Sequence, residues 1–75
     1  MKTYTEKELQ EIRSIYTPGT RIRLEYMGDD DPCPVPSGTL GTIKHVDDIG
    51  TIHMDWDNGS SLGLIIGVDV FEIIS

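Results

Sequence analysis

The sequence predicts a mainly β domain, a small five-stranded barrel preceded by one N-terminal amphipathic helix. Three observations predict it. Apolar and polar residues alternate in short runs, most clearly over residues 51–56, where Ile52, Met54 and Trp56 interleave with Thr51, His53 and Asp55. Glycine-bearing turn signals separate these runs: Pro18-Gly19, Asp47-Asp48-Ile49-Gly50 and Asp57-Asn58-Gly59-Ser60. A single segment carries helical spacing, with Leu9, Ile12, Ile15 and Tyr16 on one stripe. The 75 residues read as one domain, with the helix at about 5–16 and the barrel at about 19–75. A chain of this size buries only about 60% of its unfolded surface, so a large enclosed active site is not expected.

Taken in order, Thr5-Glu6-Lys7-Glu8 matches a capping box, and Tyr4 and Leu9 occupy the two positions of a hydrophobic staple. Thr17-Pro18-Gly19 stops the helix, whose apolar stripe is expected to pack on the barrel. The first strand spans residues 20–27, with Ile22, Leu24 and Tyr26 inward and Arg21, Arg23 and Glu25 outward, the arginines pairing with nearby carboxylates. Residues 28–38 form the longest irregular connection, holding Asp29, Asp30 and Asp31 and then Cys33 between prolines.

The next two strands, residues 39–46 and 51–56, form a hairpin. Pairing Val46 with Thr51 sets His45 opposite Ile52, Ile43 opposite Met54, and Gly41 opposite Trp56. A glycine facing a tryptophan leaves room for the indole to lie across the neighbouring strand. This register places Trp56 inside; a position on the floor of a groove beside Tyr26 is the alternative. It also points His45 and His53 to opposite faces, so they are not expected to share a metal. A two-residue turn at Asn58-Gly59 would put Leu62 on the polar face, which predicts a three-residue loop or a bulge there. Residues 60–64 form the fourth strand. A short helical turn at 66–69 then leads into the fifth, 70–74, with Phe71 and Ile73 inward. One long loop, two tight hairpins and a penultimate turn follow the order of an SH3-like barrel.

Composition narrows the functions. The formal charge is −7 with only six Lys and Arg, too few to neutralise a row of phosphates, so direct binding to nucleic acid is not expected. The single Cys33 excludes an intramolecular disulfide and a cysteine zinc site and points to a cytoplasmic setting. No signal peptide, membrane-spanning run or lipidation signal is read, and no membrane partner is expected. The Asp29 to Asp31 run lacks the alternating oxygen ligands, central glycine and distal glutamate of a calcium loop. No cofactor, metal or catalytic residue is assigned, because no nucleophile has a paired base and no glycine loop opens a helix to hold phosphate.

Three stretches carry a resemblance. Pro18-Gly19-Thr20-Arg21-Ile22-Arg23-Leu24, the Pro36-x-Gly38-Thr39-x-Gly41-Thr42 run, and Val46-Asp47-Asp48-x-Gly50 continuing to Trp56-Asp57-Asn58-Gly59 resemble domain-of-unknown-function family 4314, a bacterial and phage family of small SH3-like barrels. The resemblance implies an occurrence in mobile elements and brings no activity, so no catalytic residue is carried over.

The functional expectation is a non-enzymatic module that binds a basic protein surface or a nucleic-acid-binding protein, in its sharpest form a phage or mobile-element modulator competing with nucleic acid. The candidate partner-binding residues are Asp29, Asp30, Asp31, Asp47, Asp48 and Tyr26. A structural or homo-oligomeric assembly protein is the alternative, and an enzyme the more remote one.

Overall fold

The computed structural model describes residues 4–28 and 34–75. The fold is mainly β: five antiparallel strands in one sheet follow one helix. The helix α1 (Glu6–Ile15) precedes β1 (Arg21–Tyr26), β2 (Leu40–Val46), β3 (Thr51–Trp56), β4 (Leu64–Ile65) and β5 (Val70–Ile73). The strand order is β4-β3-β2-β1-β5, which leaves β4 and β5 as its edges.

The helix begins as its residues dictate. The Thr5 hydroxyl accepts from the Glu8 amide at 3.1 Å, while the Glu8 carboxylate accepts from the Thr5 amide at 3.0 Å. Leu9 is buried, and Ile12 and Tyr16 pack on the core, but Ile15 is exposed, so the buried stripe is narrower than its spacing suggests. Arg13 fastens the helix to the β2–β3 hairpin: its Nε donates to the Val46 carbonyl at 3.2 Å and its guanidinium meets Asp48 at 3.0 Å.

The core is built from Ile22, Leu24, Met27, Ile43, Ile52, Met54, Trp56 and Leu64, with Val35 and Val46 at its margin. Gly41 stands opposite Trp56 and Ile43 opposite Met54, as the alternation requires. A Cβ on Gly41 would lie 2.5 Å from the indole Cε3, so only glycine lets the ring cross at this height. Trp56 is buried, and its Nε1 donates to the Leu62 carbonyl at 2.8 Å, which settles it as core. The next connection is the three-residue loop 57–59, closed by the Trp56 amide donating to the Ser60 carbonyl at 3.1 Å; β4 then aligns Leu64 with Ile52. The fourth strand is shorter than expected, because residues 60–63 remain irregular.

Two bulges overturn two expectations. Between Ile43 and His45 the register shifts, so Lys44 is an extra residue and His45 faces His53 rather than Ile52. Between Leu24 and Tyr26 the same happens at Glu25. Tyr26 therefore turns outward and is exposed, while Met27 takes the buried position. On the edge strand, Phe71 is half-buried and rests edge-on against Tyr16, whereas Ile73 is exposed rather than inward. The expected helical turn at 66–69 is a tight turn bracketed by an Ile66–Asp69 bridge.

Both arginines of β1 pair with carboxylates. Arg21 grips Asp57 with two nitrogens at 2.9 and 2.6 Å and also donates to the Thr42 hydroxyl, and Arg23 pairs with Glu72. The Arg21 hydrogen bond holds the Asp57 carboxyl below the usual carboxylate range, and Asp57 in turn raises Arg21. Among the described residues, no helix is long and apolar enough to cross a membrane.

Candidate functional site

The hairpin tip between β2 and β3 is organised by one carboxylate. Asp47 Oδ1 accepts from the amides of Ile49 at 3.1 Å and Thr51 at 2.9 Å, and Oδ2 lies 2.8 Å from His53 Nε2. Burial pushes the Asp47 carboxyl up, but the bonds from the His53 ring, Thr51 and Ile49 outweigh it and hold the group below its ordinary value. Asp47 is therefore a side chain that shapes the turn and orients His53. Gly50 closes that turn at φ 83°, and the ring of Tyr4 lies where its Cβ would be, 2.5 Å away. Tyr4, the residue ahead of the helix cap, thus packs on the hairpin tip.

Beside this contact lies an apolar groove of about 540 Å³, lined by Tyr4, Ile49, Gly50, Ile65, Ile66 and Val68 among others. Ile49, Ile65 and Val68 are 65%, 51% and 50% exposed, so three large apolar side chains face solvent along one hollow. Asp69, buried beneath the turn that carries Val68, holds the groove wall. Its Oδ1 accepts from the Gly28 amide at 2.8 Å and its Oδ2 from the Ile65 amide at 2.7 Å. One carboxylate therefore ties the exit of β1 to β4, strands that do not pair with each other in the sheet. A Cβ on Gly28 would meet Val68 at 2.9 Å, so the segment leaving β1 starts against the groove wall.

The expected site residues are distributed as follows. Asp29, Asp30 and Asp31 lie outside the described residues. Asp47 and Asp48 share the hairpin tip; the Asp48 side chain is 98% exposed and bound to Arg13. Tyr26 is on the β1–β5 side of the sheet, opposite Val70. The groove itself was not anticipated, nor was the role of Asp69. One signal was available for the groove: Ile49 is a large apolar residue at the centre of a turn otherwise made of Asp, Asp and Gly.

The two histidines come together as well. The Lys44 bulge rotates His45 onto the face of His53, and the rings stack with centroids 4.4 Å apart and planes at 11°.

A capped helix, one five-stranded antiparallel sheet and an open apolar groove beside a carboxylate-braced hairpin define a small acidic β module. The chain belongs to the family described as domain of unknown function (DUF4314), which it matches over residues 5–74. No curated protein and no solved structure matches it.

Proposed function

We propose that this chain is a non-enzymatic SH3-like interaction module that binds a basic protein surface, taking an apolar side chain of the partner into the groove between the hairpin tip and the β4–β5 turn. The observation that carries this reading is the row of Ile49, Ile65 and Val68, exposed together along a groove of about 540 Å³. The net charge of −7 favours a cationic partner and speeds its approach. In sequence, Asp29 to Asp31 follow directly on Gly28, the residue packed against Val68, and Asp48 stands beside Ile49. The groove lining fits binding better than proton transfer, since among the described residues Tyr4 is its one ionisable side chain. The barrel reading is supported by the strand order and by Asp69, which draws the end of β1 towards β4. In its sharper form, the module occupies a site on its partner that otherwise holds nucleic acid, with carboxylates standing in for phosphates.

The test is capture on immobilised chain at low and high salt after nuclease treatment. Each captured protein is then purified, and its affinity measured for wild type, Ile65→Glu and the Asp29, Asp30, Asp31→Asn variant. A basic partner that loses at least about tenfold with Ile65→Glu and weakens with salt supports the reading. A partner indifferent to both the groove and the aspartates sinks it. Self-association is the second reading, favoured by Val70, Ile73 and Ile74 exposed on and beside the uncovered β5 edge and opposed by the like charge of two copies. Light scattering across a dilution series separates the two.

A further inference from the structure

We propose that His45 and His53 form a two-imidazole site for a divalent transition metal of the zinc, nickel and copper class, with Asp47 as the carboxylate that orients it. The site exists only because of the Lys44 bulge; an unbulged hairpin would send the rings to opposite faces. Asp47 Oδ1 already accepts from two amides and its Oδ2 lies 2.8 Å from His53 Nε2, a contact made when the ring carries its proton on Nε2 and donates it to the carboxylate. In the neutral ring this leaves the lone pair on Nδ1. A metal-bound histidine commonly shows this arrangement, one nitrogen on a carboxylate and the other open to the ion. Among the described residues, His45 has the His53 ring as its neighbour and no hydrogen bond to its nitrogens.

The two histidines stand directly opposite each other on neighbouring strands, within reach of one ion. A tetrahedral zinc with bonds of about 2.0–2.1 Å holds two nitrogens about 3.3 Å apart. The rings are stacked at 4.4 Å with planes at 11°, which leaves their in-plane lone pairs nearly parallel, so binding requires the exposed His45 ring to turn out of the stack and aim a nitrogen at an ion lying in the plane of the His53 ring. No group of three or more His, Cys, Asp or Glu among the described residues is arranged as a metal cluster, so solvent completes the coordination shell. Such a site is open and exchangeable, unlike a closed structural zinc site. Asp47 and Asp55 on the hairpin offset the charge of the ion, against the exposed Lys44.

The test is titration of the full chain with Zn²⁺, following the imidazole nitrogens by NMR and the melting temperature in parallel. Both histidine rings should shift together, and the melting temperature should climb with Zn²⁺ concentration, since the folded hairpin alone presents the pair. His45→Ala and His53→Ala should each cut affinity at least about tenfold, Asp47→Asn by a smaller factor, and acidification should weaken binding as protons compete. His45 is exposed, so its variant keeps the fold, which the amide spectrum verifies. Histidine resonances that stay still at millimolar Zn²⁺ overturn the proposal. So does an affinity that survives His45→Ala, or one that is abolished by Cys33→Ser with both histidines present.

Discussion

At the scale of single residues, the fold depends on places where one atom more or less changes the outcome. A methyl group on Gly41 would press into the Trp56 indole, 2.5 Å from Cε3 and 3.0 Å from Cδ2, and a rigid buried ring has no flexible end to yield, although the Met54 methyl at 3.1 Å can move. Gly41→Ala should therefore cost about 1–3 kcal/mol in denaturant unfolding, more than a solvent-facing glycine in a strand would. Asp69 holds two amides from different parts of the chain. Asp69→Ala strands both donors beneath the turn and should cost about 2–4 kcal/mol, with faster hydrogen exchange at Ile65 and Gly28 as its local signature. Asp47 sets a pH dependence. Its folded-state pKa lies below the unfolded value near 3.8, so the stability it supplies is complete above that value and is lost as pH falls through the lower, folded one. The stability gap between wild type and Asp47→Asn should accordingly shrink between about pH 5 and pH 2, and an unchanged gap would show that the carboxylate's bonds do not matter.

At the scale of elements, local signals and register parted company. The helix, its Thr5–Glu8 box and the β3 strand were legible because each is written in a short window: a cap three residues from its partner, an alternation six residues long. The Gly41–Trp56 pairing came out right although Val46 pairs with Ile52 rather than Thr51, because the extra residue at Lys44 restores the expected register from Ile43 onward. What could not be read were the bulges at Lys44 and Glu25. A bulge adds one residue without changing composition, and after it every side chain faces the other way. His45 and Tyr26, both beyond a bulge, were the residues assigned to the wrong face. The groove was illegible for a related reason: Tyr4, Ile49, Ile65 and Val68 come from four separate segments, and only the assembled turns bring them together. Thr5→Ala removes one side of the capping box and should lower stability by about 1 kcal/mol, and the loosened first turn should also free Tyr4 from Gly50.

At the scale of the whole molecule, a small sheet is braced by tethers from outside its ladder. Arg13 ties the helix to the hairpin, and Asp69 ties the exit of β1 to β4. These tethers surround the groove, so its walls are held while its lining stays open to solvent. Ile65→Glu alters an exposed side chain and should leave the unfolding free energy within about 0.5 kcal/mol of wild type while weakening the proposed partner at least about tenfold. A large loss of stability instead would mean that Ile65 serves the fold.

The lone tryptophan is sealed in the core on the far side of Gly41, while the tyrosine at position 4 roofs the hairpin tip at the groove. The molecule thus carries one indole and, among its three tyrosines, one at the groove, and these answer different questions. Indole emission, blue-shifted while its ring is dry, tracks global unfolding and stays silent to events on the surface. The part of the tyrosine dichroism that Tyr4→Phe removes responds when the groove is filled or its roof lifts, while Tyr16 and Tyr26 supply a background. Opening of the helix from the hairpin can be followed in the native chain, without a label, by the second signal moving ahead of the first.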